Sequence, residues 1–410
     1  MSLVTGFAWG ANLDVTNYGA AGDGSKNDTA AIQKAIDAAA SGDTVLLDSG
    51  KTFLSGPIYL KSDMTLRVDG TLLGSTVASD YLPKQPNRWE GLIVNQWQTL
   101  INAGTLNSNG VSNVSNIKIH GTGLINPRGR ELKKNGVHIN NAIQINNCDS
   151  FELKGVSTSK MLHIKEAARW TVHPIFCKNM QFQYLDIDSS RCPRNGDGID
   201  LDSCSRVTIV DCNIYAQDDC IALKSGKGIE GYEINIPTSD VTIERCEFRC
   251  KRWSAIAVGT EASGGVHHIT IENCTAPGVN KHFLYMKGNP KRGKRQRYHD
   301  ITVRNCLNIK SGHALTHVDT NVGIVYSNAP GTPDFGGNIK FINVSSAANK
   351  GVTYNGSSDI RVHDITFDNC DFGTGSIQGK YCHNIAFTGC TFGSQNFTDF
   401  SNIVIRNKGQ

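Results

Sequence analysis

The feature that most constrains the fold is a short alternating segment that recurs along much of the chain. Six copies, "VTIVDC", "VTIERC", "ITIENC", "ITVRNC", "ITFDNC" and "IAFTGC", end in Cys212, Cys246, Cys274, Cys306, Cys370 and Cys390. Others, such as "NIKIHG", "SFELKGV", "NMQFQYLDI" and "NIKFINV", carry the same period of two, and Gly, Asn, Asp or Ser breaks each run. Successive starts lie about twenty to thirty-five residues apart, the repeat of a solenoid whose coils hold several short strands. A β-sandwich would space its strands at roughly eight to twelve residues, with Asn-Gly hairpin turns. A unit that cannot bury its apolar face alone must stack on its neighbours. The expectation is therefore an all-β, right-handed, single-stranded parallel β-helix, with Asn and Cys stacked in ladders at equivalent turns.

One helical pattern stands apart, "NDTAAIQKAIDAAASG" near the N-terminus. Asp28 or Thr29 is placed to cap it, Ile32, Ala35 and Ile36 share a face, and Gly42 follows its end. It reads as the lid on the first coil, because an open solenoid end exposes backbone edges. Residues 12–60 are expected to form this N-terminal cap region of a single domain over 1–410, since no Pro-rich or Gly/Ser-rich linker divides the chain. The opening "MSLVTGFAWGANLD" is apolar without a basic leader. Residues 1–11 read as a tag or the remnant of an export signal, which points to a secreted or periplasmic protein.

With 410 residues and a net charge of +4, the chain lacks the strong basic excess of a general nucleic-acid binder. No run of eighteen apolar residues suggests a membrane span. Its 13 cysteines cannot all pair within one chain, and no paired CxxC points to zinc. Those that end the repeated segments read as one buried, reduced packing position, because free cysteine behaves as a small hydrophobe.

Against this apolar background stand "RNGDGIDLDSC" and "AQDDCIALKSG", which bring Asp197, Asp200, Asp218 and Asp219 among strand residues. Unpartnered carboxylates are costly to bury, so the concentration needs a role. Asp197 and Asp218 are 21 residues apart, close to one coil, which puts the two motifs on neighbouring rungs of about 4.8 Å spacing. Carboxylates that close repel, and one of them keeps a proton. Glycoside hydrolysis uses such a set, one carboxylic acid for the leaving oxygen and one carboxylate to activate water. Clustered aspartate oxygens also suit calcium, as in a polysaccharide lyase of similar architecture. Alone, an Asp-Asp would read as a turn residue bonding local backbone.

The motifs together resemble glycoside hydrolase family 28, the polygalacturonase and rhamnogalacturonan hydrolase family, in its bacterial type. "NYGAAGDGSKNDTAAIQKAID" is similar to the N-terminal signature of pectin-active β-helices, and "NRWEG" and "RWTVHP" to segments of bacterial members. "NGDGIDLDSC", "QDDCIALKSG", "VGTEASGGV" and the lysine of "YMKGN" follow in the family's order. The resemblance implies Asp218 as general acid, Asp197 and Asp219 as the pair that activates water, and Asn195 and Lys287 as substrate-binding residues. It implies no cofactor and no metal. The chain departs from polygalacturonases in two places. "KRWSAIAVGT" has Trp253 and Ser254 where a Gly-His-Gly usually stands, and Tyr285, Met286 and Lys287 replace Arg-Ile-Lys. Rhamnogalacturonan-cleaving relatives also lack that histidine, so a rhamnogalacturonan hydrolase is the alternative to a polygalacturonase-like enzyme.

The basic stretch "NKHFLYMKGNPKRGKRQRYH" is assigned to a polyuronate-binding rim rather than a nucleic-acid patch, with Arg292 as the direct contact. Tyr285 and Lys224 join the substrate-binding candidates. Trp253 either stacks on a sugar ring or packs, and His173 either lines the cleft or bonds within the core. The expected partner is an acidic plant cell-wall polysaccharide or its oligosaccharides. A lyase and a non-catalytic carbohydrate-binding β-helix such as an adhesin are the competing functions.

Overall fold

The structure, a computed structural model, describes residues 10–137, 141–322 and 328–406. Most of the 1–11 segment read as a tag or signal remnant therefore lies outside the described residues. Among the described residues the strands form three long parallel sheets, of fourteen, twelve and nine strands, and one antiparallel pair. Through the middle of the chain each coil gives one strand to each sheet, and beyond Thr275–Val279 the coils give strands to the fourteen- and twelve-strand sheets alone. Ile199–Asp202 enters the twelve-strand sheet, Ser205–Val210 the fourteen-strand sheet and Asn213–Ala216 the nine-strand sheet, and Ile221–Lys224, Thr238–Glu244 and Glu247–Cys250 repeat the order. This is the right-handed parallel β-helix that the repeats predict.

The cysteine-ending segments have a backbone cause. The residue before each cysteine, Asp211, Arg245, Asn273, Asn305, Asn369 and Gly389, adopts a left-handed φ between 50° and 61°. Asn, Asp and Gly enter that region most readily, and Asn343 Nδ2 donates to Asn305 Oδ1 at 3.0 Å from the next rung. The chain then turns inward, where a small apolar side chain fits. All 13 cysteines are free and buried, and Cys246 and Cys274 reach carbonyls one coil back, Ile209 at 3.6 Å and Ile243 at 3.7 Å. Beside them runs an aliphatic file, Ile209, Ile243, Ile271 and Val303, in parallel register. Fully burying such a side chain is worth roughly 1.5–3 kcal/mol, and the file repeats that gain on every rung.

Helix α1 (Thr29–Ala38) buries Ile32, Ala35 and Ile36 as the sequence predicts, but neither proposed cap acts as one. The Asp28 carboxylate turns away to accept from the Ala21 and Gly22 amides at 2.7 and 3.0 Å, and Asn27 Oδ1 accepts from the Thr29 amide at 3.0 Å instead. Helix α2 (Gly129–Lys134) buries Leu132 in a small side cluster with Tyr81 and Val137. Helix α3 (Gly228–Ile234) follows the "ALKSG" strand.

The three sheets differ on their outer faces. Strands of the fourteen-strand sheet alternate buried and half-buried or exposed residues, so that face meets solvent. In the twelve-strand sheet, Ile143–Asn146, Val172–Ile175, Ile199–Asp202 and Ile221–Lys224 are buried at every position. Something must cover their outer side, as in any sheet buried on both faces. Part of the cover is the antiparallel hairpin formed by Gln85–Trp89 and Leu92–Gln96.

Candidate active site

The outer face of the twelve-strand sheet carries a file of residues in register. Asp200 pairs with Ala222, Ala222 with Ala257, Ala257 with Tyr285 and Tyr285 with His317. The two alanines leave space above the sheet where larger side chains would fill it. The aspartates stand around this space from the turns that lead into the strands. Gly198 N donates to Asp219 O at 3.1 Å and Asp218 N to Gly196 O at 3.2 Å, so Asp197 and the Asp218–Asp219 pair occupy neighbouring coils.

A cavity of about 240 Å³ opens here, lined by Asn195, Asp218, Trp253, Glu261 and Lys287, with Arg194 and Arg252 at its wall. Burial, followed by the charges of Asp197 and Asp219, pushes the Asp218 carboxyl up to about 8. It is therefore protonated at neutral pH. Asp219 sits differently. Lys287 Nζ donates to its Oδ2 at 2.8 Å and the Ser254 amide to its Oδ1 at 3.0 Å, two donors that suit a carboxylate anion. Burial is also the first cause holding the Asp197 carboxyl well above its usual range, and the charge of Asp200 adds to it. Asp197 and Asp219 are thus not equivalent. Asp219 is gripped by Lys287 and the Ser254 amide, whereas burial and the charge of Asp200 disfavour the anion at Asp197.

Two residues hold this arrangement that the sequence alone did not single out for a role. Asp200 Oδ1 forms an ion pair with Lys224 Nζ at 2.7 Å, beneath the cluster. Burial raises its carboxyl to about 6 against the pull of Lys224. Glu261, from "VGTEASGGV", lines the cavity, and Lys224, Lys287 and Arg292 overcome its burial to hold its carboxyl at about 2. Burial works against the charged forms of Lys224 and Lys287, yet Asp200 and Glu261 around the first and Asp219 and Glu261 around the second outweigh it, so both ammonium groups stay charged.

Several sequence expectations shift accordingly. Arg292, expected on a substrate rim, is fully buried in a turn (Pro290–Arg292), with its charge beside Glu261. It balances the site's carboxylates from within. Lys224 is only 4% exposed and pairs with Asp200 and, at 3.8 Å, Asp197, so it supports the cluster from below rather than touching substrate. His173 is fully buried; its Nε2 lies 3.7 Å from Asp202 Oδ2, and burial lowers its pKa to about 4. Of its two readings, the core one describes it. Asn195 and Lys287 line the cavity, and so does Trp253. Trp253 stacks on Tyr285 with centroids 6.3 Å apart. That stack divides the Asp218 cavity from a larger one of about 600 Å³, lined by Trp253, Lys281, His282, Tyr285, His317 and Lys350 among others.

The "NRWEG" and "RWTVHP" segments meet at the other end. Arg88 Nη1 donates to Asp202 Oδ1 at 2.8 Å and Ser203 Oγ at 2.9 Å. Trp89 stacks on Trp170, centroids 5.8 Å apart, with the Arg169 guanidinium against the Trp89 ring. The hairpin tip is tied down by Lys227 N to Gly91 O at 2.9 Å and Ile93 N to Glu230 Oε1 at 3.0 Å. Arg169 and Trp170 are 2% exposed beneath it.

Comparison with known proteins agrees with this geometry. The chain is 28% identical over 279 residues to a probable polygalacturonase of Vitis vinifera, covering 65% of this chain and 55% of that protein. It is 26% identical over 381 residues to an exopolygalacturonase of Zea mays, covering 88% and 76%. The chain spans about half the length of curated relatives such as the Vitis protein. Its fold is similar to the crystal structure of a hyperthermoactive exopolygalacturonase from Thermotoga maritima, with a TM-score of 0.76 at 19% identity, covering 93% of this chain and 91% of that one. The sequence profile described as Glycosyl hydrolases family 28 matches residues 38–391, and the chain belongs to that family.

Proposed function

We propose that the chain hydrolyses glycosidic bonds of a galacturonate-rich, pectin-type polysaccharide or its oligosaccharides, with inversion at the anomeric carbon. The observation that carries this reading is Asp218, a carboxyl held protonated up to about pH 8 while facing an open cavity beside a carboxylate gripped by Lys287. Asp218 gives its proton to the leaving oxygen as the C–O bond breaks. Water attacks the anomeric carbon, and Asp219 takes the water's proton, assisted by Asp197. Arg194, Arg252 and Lys287 supply the positive charge that a uronate carboxylate needs. The relatives' names, polygalacturonase and exopolygalacturonase, favour galacturonan over rhamnogalacturonan. The lyase reading is weaker because ammonium groups already engage Asp200 and Asp219. Export to meet such a polymer, and an N-terminally capped single domain, complete the proposal.

We further propose that the enzyme works from a chain end. The tied-down hairpin, with Trp89 stacked over Trp170 and Arg169, walls the groove next to Asp197 and Asp200, so among the described residues a polymer has its way out over Trp253 and Tyr285. The test is product analysis on polygalacturonate. The expected result is steady release of short acidic sugars with saturated ends while viscosity stays high. Early collapse of viscosity would overturn the end-acting mode, and unsaturated ends would overturn hydrolysis.

A further inference from the structure

Beyond the hairpin, on the side away from Asp218, the twelve-strand sheet carries a second cavity that nothing so far uses. It measures about 170 Å³ and is lined by Tyr59, Asn87, Trp97, Asn102, Gln144 and Asn146 among others. Among the described residues no charged side chain lines it, and the nearby Lys84 ammonium lies 5.2 Å from the centroid of the Trp97 ring. The uncharged lining sets it apart from the Asp218 cavity, with its Arg194, Arg252, Glu261 and Lys287.

Its amides are fixed in orientation. Asn141 Nδ2 donates to Gln144 Oε1 at 3.0 Å, and Gln144 Nε2 to Asn146 Oδ1 at 2.9 Å and to His173 O at 2.8 Å. Asn102 lies in register between Tyr59 and Gln144, donates to Thr99 O at 2.7 Å and accepts from Thr99 Oγ1 at 2.7 Å. Such locked amides bind with little loss of side-chain freedom. One atom is left over. Asn87 is 8% exposed and lines the cavity, yet its buried Oδ1 has no hydrogen-bond partner. Leaving a buried acceptor without a donor is costly, so a ligand hydroxyl that reaches it would be favoured.

Sugar hydroxyls donate and accept, which matches amides, and the C–H face of a pyranose packs on aromatic rings such as Tyr59 and Trp97. A uronate would bring a carboxylate against a described lining of amides, hydroxyls and rings, with Lys84 over Trp97 as a cation outside that lining, so its charge would be poorly paired. The volume equals that of about five or six waters at ~30 Å³ each, the room for one ring rather than a chain. We infer that this cavity is a binding site for a single neutral sugar unit, separate from the catalytic pocket and walled from it by the hairpin.

The test uses the Asp218→Asn protein, to suppress turnover, titrated with three neutral methyl glycosides, of a hexose, a 6-deoxyhexose and a pentose, and with methyl galacturonoside. Calorimetry and Trp fluorescence follow binding. At least one neutral glycoside is expected to bind with a Kd of about 1–10 mM, the weak range of a one-ring ligand. Asn87→Leu and Trp97→Ala should each weaken it at least about tenfold. Trp97→Phe, which keeps an aromatic face, should restore most of the binding if Trp97→Ala unfolds locally. Absence of binding by all three neutral glycosides overturns the inference. So does neutral-glycoside binding unchanged by Asn87→Leu and Trp97→Ala, or a uronate bound at Trp97 more tightly than any neutral ring.

Discussion

Lys287 Nζ sits 2.8 Å from Asp219 Oδ2, inside the cavity that Asp218 also faces. A lysine that served only as a point charge for substrate would change KM alone when removed. Because this one also holds the carboxylate proposed to activate water, Lys287→Ala should lower kcat by at least about tenfold as well as raise KM for acidic oligosaccharides. Steady-state kinetics separate the two effects. An unchanged kcat would show that Asp219 does not depend on Lys287.

The acid role of Asp218 sets a pH limit. Its carboxyl titrates near 8 in the folded protein, and the acid works only when protonated, so kcat should fall as pH rises through about 8. Asp218→Asn should lose more than about a hundredfold in kcat on the natural glycoside while binding it nearly as well, and a substrate with a good leaving group should recover much of the loss. Stability carries the same signature. The folded pKa lies above the unfolded value of about 3.9, so the folded chain binds the extra proton between those limits and loses stability as pH climbs from about 4 to 8. Melting temperatures should therefore show Asp218→Asn more stable relative to wild type at pH 9 than at pH 5. Equal differences at both pH values would contradict the raised pKa.

How far the sequence reached depends on the range of the interaction. Period-two alternation and the left-handed residue before each cysteine are local, and they predict the coil. The 21-residue offset of Asp197 and Asp218 became a contact because a solenoid turns sequence distance directly into rungs. Arg292 misled because charge in a sequence reads as surface, whereas here the carboxylate that neutralises it, Glu261, comes from another coil. Glu261 lies within "VGTEASGGV", where nothing local shows that Lys224, Lys287 and Arg292 converge on it. "NRWEG" and "RWTVHP" are some eighty residues apart in sequence, as the pairing of Glu90 with Arg169 illustrates at |i−j| = 79, and only the hairpin brings them together. A strand buried at all four positions, such as Ile199–Asp202 with its polar Asp200 and Asp202, was the available signal that something covers the outer face.

The hairpin's root rests on a buried ion pair. Arg88 and Asp202 are both fully buried, and the Arg88 charge outweighs burial to hold the Asp202 carboxyl below its usual range. Removing one partner leaves the other charge stranded, so Arg88→Leu should destabilise by about 3–5 kcal/mol. Adding Asp202→Asn should recover part of that loss, because the double variant buries no unpaired charge. Chemical denaturation of the wild type and both variants measures it. A small effect of Arg88→Leu would mean that water reaches Asp202.

The tip tests the end-acting mode more directly. Gly91 has a φ of +79°, and a Cβ there would come 2.6 Å from Lys227 Cβ and 2.9 Å from the Lys227 amide whose hydrogen bond fastens the tip. Gly91→Val adds bulk to a residue that is already disfavoured in the left-handed region, so the tip must lift from α3 while the Arg88–Asp202 anchor keeps the hairpin attached. Opening that end gives a polymer a second exit past Asp197. On polygalacturonate the variant should therefore lower viscosity more per reducing end released than wild type does, and its products should include longer oligomers. Chain-end release on short oligosaccharides depends less on the wall, so it should fall less than about tenfold. If the variant is folded and its product lengths match those of wild type, the hairpin is not what confines the enzyme to chain ends.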